Sequence, residues 1–147
     1  LKSMIKSNVA KFILAIPLIF IASCNAAQSS SQVIFKCNTD EPTPIELVVS
    51  KVGNKLHLDK FTINAPTAID LMDLKTVKKS SYHRSLVTEH SLTFSDDGIE
   101  VIVSDYYSEE FDAVTKEKTV TLQMKDTKKY WVCDSTAMSK LASIEDF

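Results

Sequence analysis

Three cysteines, three histidines and one dense run of carboxylates are the side chains here with the most chemistry to offer. His57, His83 and His90 are scattered, and no HExxH or HxH spacing sets two of them on one face, as a bound metal would require. Ser85 and the other serines lack a GxSxG elbow, so a catalytic serine would need partners converging from distant strands. Gly53 and Gly98 are the only glycines, which excludes a glycine-rich phosphate loop. The pattern predicts no cofactor and no metal and leans away from an enzyme. An enzyme with a site assembled across strands stays as a second alternative.

The densest polar feature is Asp105-Tyr106-Tyr107-Ser108-Glu109-Glu110-Phe111-Asp112, with four carboxylates and three aromatics in eight residues. The order does not follow the EF-hand ligand spacing, so calcium is not its expected occupant. Asp105, Glu109, Glu110 and Asp112 are expected to face solvent, because unpaired ionised groups leave water only at high cost. There they would steer a cationic protein partner, while Tyr106, Tyr107 or Phe111 would supply apolar area. The bland reading of the same run is a solvated hairpin loop.

These side chains must be placed by strands. Val33, Phe35 and Cys37 alternate, which predicts a short strand with all three on one face. The β-rich run 45–49 and the run 55–58 flank Gly53-Asn54, a glycine-first hairpin signal. The apolar parity then shifts from Leu56 and Leu58 to Phe61 and Ile63, which a bulge near Asp59 or Lys60 would explain. Residues 65–76 read as a helical turn or loop. Leu86-Val87 and Leu92-Thr93-Phe94 are strand-like, and Ser95-Asp96-Asp97-Gly98 turns the chain into Ile99, Val101 and Val103. Val120, Leu122 and Met124 give the clearest alternation, followed by a turn into Tyr130-Trp131-Val132-Cys133. Near the C-terminus, Asp134 or Ser135 could cap a short helix with Met138, Leu141 and Ala142 on one face. The fold class predicted is mainly β: a small antiparallel barrel or sandwich with a short C-terminal helix and one disulfide.

The N-terminal segment has a different character. Lys2, Lys6 and Lys11 precede the eleven-residue apolar run 12–22, and no acid occurs before Asp40. That run is too short for a membrane span of about 20 residues but matches the apolar core of an export signal. It ends in Ile21-Ala22-Ser23-Cys24-Asn25, which resembles the lipobox of bacterial lipoproteins. The resemblance implies cleavage before Cys24 and a diacylglycerol on its thiol. Several acyl chains together give stable anchoring where one would not. Ordinary cleavage after Ala26 is the competing reading. The expected organisation is a signal peptide at 1–23, a lipidated N-terminus and tether at 24–32, and one β-rich domain at 33–147. The expected address is the periplasm-facing cell envelope. Asn25 in place of the aspartate that typically retains lipoproteins in the inner membrane points to the outer membrane.

Seventeen basic and 19 acidic residues leave the chain near neutrality, which excludes a nucleic-acid binder working by bulk charge. Loss of the signal would remove three lysines and no acid, leaving a more acidic domain suited to a basic envelope protein. Either cleavage site leaves Cys37 and Cys133 as one pair with a single intramolecular connectivity, and export favours their oxidation. A small exported β-domain of this kind is broadly similar in architecture to periplasmic lysozyme inhibitors, lipid-anchored barrels that plug a basic enzyme's cleft. The resemblance assigns no residues. The leading expectation is a non-enzymatic envelope lipoprotein whose β-domain binds a protein or envelope component. The first alternative is an inhibitor or immunity protein against a wall-degrading enzyme.

Overall fold

A computed structural model describes residues 30–40, 42–64, 69–71 and 74–145; the expected signal segment, Cys24 and most of the expected tether lie outside them. The strands in chain order are β1 (Ser31–Thr39), β2 (Ile45–Val52), β3 (Lys55–Ile63), β4 (Ile69–Asp70) and β5 (Thr76–Arg84). They continue with β6 (Val87–Asp96), β7 (Ile99–Ser108), β8 (Thr115–Met124), β9 (Thr127–Val132) and β10 (Met138–Ser139). Two antiparallel sheets result: sheet one in the order β10-β1-β2-β3-β4, and sheet two in the order β5-β6-β7-β8-β9. Neither closes into a barrel, so the architecture is a sandwich.

Period-2 alternation builds the core from both sheets. Sheet one contributes Phe35, Cys37, Leu47, Val49, Leu58, Phe61 and Ile63, and sheet two Leu92, Phe94, Val101, Val103, Val120, Leu122 and Trp131. Trp131 joins the layers twice. Its ring meets Phe61 edge-on with centroids 6.0 Å apart, and its Nε1 donates to the Thr43 carbonyl at 3.2 Å.

Two bulges correct the parity of sheet one. Across β2 and β3, Val48 pairs with Lys60 and Val49 with Leu58, so Asp59 is the extra residue, as the parity shift in the sequence required. In β1, Val33 pairs with Ser50 and Phe35 with Val49, which leaves Ile34 as the inserted residue. Ile34 and Phe35 are therefore both buried, and Val33 is turned outward instead of sharing the face of Phe35 and Cys37. The turns follow from backbone chemistry. Gly53 takes φ +59° between the paired Val52 and Lys55, and Asp97 (+47°) and Gly98 (+76°) both take the left-handed conformations of a tight hairpin.

Beyond β9 the chain crosses from one sheet to the other. The Cys133 N–H donates to Lys118 of β8 at 2.8 Å, and the next N–H, of Asp134, donates to Asn38 of β1 at 2.9 Å. At this crossing Cys133 is disulfide-bonded to Cys37, with their Cα atoms 5.2 Å apart. The following segment differs from an amphipathic helix capped at Asp134. Asp134 Oδ1 accepts the Thr136 N–H at 2.9 Å to form a local turn, and Met138–Ser139 then pairs with β1 as β10. The helical part is a single 3-10 turn, Leu141–Ser143, which buries Leu141 and leads to the buried Ile144. Of residues 65–76, the described part holds the short strand β4 and the first residue of β5; residues 65–68 and 72–73 lie outside the described set. β1 also begins two residues before the expected domain boundary, with Ser31 and Gln32 already paired to Val52 and Lys51.

Candidate functional site

Sheet two is longer than the core that covers it. Register across β5, β6, β7 and β8 aligns Lys79, Leu92, Val103 and Val120 in one inward row. The next inward rows are Ser81-His90-Asp105-Lys118 and His83-Thr88-Tyr107-Lys116, and no residue in them is buried. The sheet thus overhangs the core as a polar ledge. On it Ser81 Oγ and His90 Nδ1 are hydrogen-bonded at 3.1 Å, as are His83 Nδ1 and Thr88 Oγ1 at 3.0 Å. Lys116 Nζ sits 5.7 Å from the Tyr107 ring centroid, within cation–π range.

Ser81, His90 and Asp105 form a serine-histidine-aspartate row on neighbouring strands. A catalytic triad needs the carboxylate to orient one imidazole nitrogen while the other faces the serine. Here Ser81 meets Nδ1, and among the described residues no hydrogen bond joins His90 to Asp105. A cleft of about 220 Å³ beside the crossing, lined by Lys116, Lys118, Cys133 and Asp134 among others, is smaller than the roughly 300 Å³ at which small-molecule sites begin.

The ledge ends in the β7–β8 loop, which is clamped at several points. The Glu109 N–H donates to Leu86 O in the β5–β6 turn at 2.9 Å, tying the two loops together. Glu110 is ion-paired with Arg84 at the end of β5, and its N–H donates to Ser108 Oγ at 3.1 Å. The Tyr107 hydroxyl donates to Glu109 Oε1, and this bond, with lesser help from desolvation and from the Glu109 charge, raises the phenol above its ordinary value of 10.0. Between these clamps Phe111 (φ +60°) and Asp112 (φ +56°) both adopt left-handed backbone, which is costly for a side chain as bulky as phenylalanine. Phe111 is 95 % exposed, with Val114 at 62 % and Leu86 at 47 % also exposed in these two loops.

The candidate residues from the sequence are therefore distributed among different surroundings. Asp105, Tyr106 and Tyr107 belong to β7 and are half-buried, and strand alternation sends Tyr106 to the face opposite Asp105 and Tyr107. Glu109, Glu110, Phe111 and Asp112 form the projecting loop. Of the four carboxylates, Asp105 stands opposite Lys118, Glu109 accepts from Tyr107 and Glu110 is paired with Arg84. Among the described residues neither Asp105 nor Asp112 makes a side-chain hydrogen bond or ion pair, and of the two Asp112 is the exposed one. Leu86, which the sequence placed in a strand with Val87, instead lies in the β5–β6 turn, and Val114 and Arg84 were not singled out by sequence. The last carries no signal until the fold sets it beside Glu110. No protein-family model, no curated protein and no solved structure matches this chain.

Proposed function

We propose that this chain is a non-enzymatic lipoprotein of the bacterial cell envelope whose β-domain binds a protein through the Phe111 end of sheet two. The observation that carries the reading is Phe111 itself: a large ring 95 % exposed, on strained backbone, in a loop held by Glu109, Glu110 and Arg84. Strained conformations persist where surrounding contacts over-determine them, and an ordered aromatic can bury area in a partner at little entropic cost. The membrane contact is the acyl chain expected on Cys24, with the outer membrane favoured by Asn25. An inhibitor or immunity protein against a wall-degrading enzyme is the narrower form of this reading, in which the Phe111 tip enters the enzyme's cleft. Because Glu109 and Glu110 are already partnered, charge attraction to a basic partner falls chiefly to Asp112, and affinity to the ring.

Mass spectrometry of membrane-extracted protein tests the anchor: acyl mass on an N-terminal Cys24 is expected, and an unmodified terminus at Ala27 refutes it. Affinity capture from envelope extract with Cys24→Ser protein, repeated with Phe111→Ala added, tests the surface. A protein retained by the first and lost with the second is expected. Equal retention by both would place binding elsewhere.

A further inference from the structure

Sheet one begins beside a basic hairpin. Ser31 and Gln32 pair with Val52 and Lys51 at the tip of β2–β3, and Ser30, Gln32, Lys51 and Gly53 line one shallow groove there. Lys51 is half-buried and Lys55 exposed. The exposed Lys140 belongs to the same end, since its N–H donates to the Ile34 carbonyl of β1 at 2.7 Å. No acid occurs in 31–39, in 47–58 or in 135–144, and among the described residues none of the three ammonium groups is ion-paired. At the far end of the same strands Glu46 is ion-paired with Lys60 at 2.7 Å and Asp40 is exposed. Acids outnumber bases in the chain, so an acid-free end sets this part of the surface apart.

We propose that this end of sheet one docks on an anionic phospholipid surface, with the β2–β3 tip against the headgroups. The inference rests on the lipid anchor proposed at Cys24 and deepens it, by giving the anchored domain one orientation. Two observations favour a membrane over other acidic partners. The first is distance. Ser31 follows Cys24 by seven residues, which span at most about 25 Å, so the anchor keeps this hairpin close to the headgroups. A surface held so near is met at high effective concentration, and a few charges then suffice. The second is charge. A lysine close to an anionic leaflet is worth about a fivefold shift in occupancy, whereas the exposed carboxylate of Asp40 at the far end is repelled. Val52, Gly53 and Asn54, which complete the tip, carry no charge to oppose the approach. The strands of sheet one then rise from the bilayer with Asp40 at their far end.

The test uses the full chain, purified from membranes and checked for acyl mass, in vesicles of phosphatidylcholine alone or mixed with phosphatidylglycerol. A fluorophore is attached at Asn54→Cys on the tip or at Asn64→Cys beyond β3, both exposed positions, and is quenched by a lipid with a nitroxide headgroup. Quenching is expected at position 54 on the phosphatidylglycerol vesicles only, and not at position 64. Lys51→Gln and Lys55→Gln should each lower the ratio of docked to undocked protein about fivefold, and high salt should undock it without any substitution. Equal quenching at both positions, or quenching at 54 that is indifferent to phosphatidylglycerol, would overturn the inference and leave the anchor standing. A chain without acyl mass on Cys24 would overturn both. A tip that stays in water on anionic vesicles, and is covered only when envelope extract is added, would overturn the inference by giving the patch to an acidic protein.

Discussion

Phe111 sits where an aromatic ring contributes nothing to the core and its backbone is costly. Left-handed φ costs an L-residue roughly 1–2 kcal/mol, which glycine escapes at the expense of some unfolded-state entropy. Phe111→Gly is therefore expected to leave stability unchanged or raise it by up to about 1 kcal/mol in denaturant unfolding, while abolishing partner capture. A loss of several kcal/mol would mean that the ring packs against the fold after all. Tyr107 offers a second test at this scale. Its raised pKa means that the neutral hydroxyl is favoured in the folded protein. The linked stability is fully present below the ordinary tyrosine value of 10.0 and is lost as pH rises through the raised one. Phenolate absorbance should show one tyrosine titrating late, and Glu109→Ala should bring it back towards the ordinary range. An unchanged titration would show that Glu109 does not hold that proton.

The elements are joined most firmly where β9 leaves sheet two and β10 enters sheet one. The Cys37–Cys133 bridge links residues 96 apart, and a crosslink closing so long a loop is worth about 4–5 kcal/mol in chain-entropy models. Replacing both cysteines with alanine should lower unfolding free energy by about 4 kcal/mol. A change below about 1 kcal/mol would show that Trp131 and the paired backbone hold the sheets without it. The bridge was legible in the sequence because assigning Cys24 to the expected signal left one pair, and Asp59 was legible because a bulge must shift apolar parity. The core strands β6, β7 and β8 announced themselves by alternation because one face of each is buried, whereas β9 was marked by the turn before it and the run from Tyr130 to Cys133. β5 did not. Thr76–Arg84 is mostly exposed, so no apolar period marks it, and only pairing with β6 makes it a strand. The bulge at Ile34 was equally hidden, since Val33 is as apolar as the residue that replaces it in the core. The acidic-aromatic run was found, but its division between β7 and a clamped loop depends on Arg84 and Leu86, which are distant in sequence.

At the scale of the whole molecule, the sandwich separates a covered body from one projecting polar end. Sheet one is capped along both edges and its inward apolar side chains are covered, whereas sheet two extends past the core as a ledge finished by the Phe111 loop. The lipid expected at Cys24 would hold the first strand near a membrane, and the β7–β8 loop would act as the reading head. Exposed Tyr130 and Val132 on the β9 edge provide a second surface of comparable apolarity, which makes them the proper control. The most direct test of the central claim is photocrosslinking in intact cells, with a photoreactive phenylalanine analogue placed at position 111 or at position 130. The account predicts a discrete protein adduct from 111 that weakens when Arg84→Ala releases the loop, and none from 130. An adduct formed from 130 and not from 111 would contradict it.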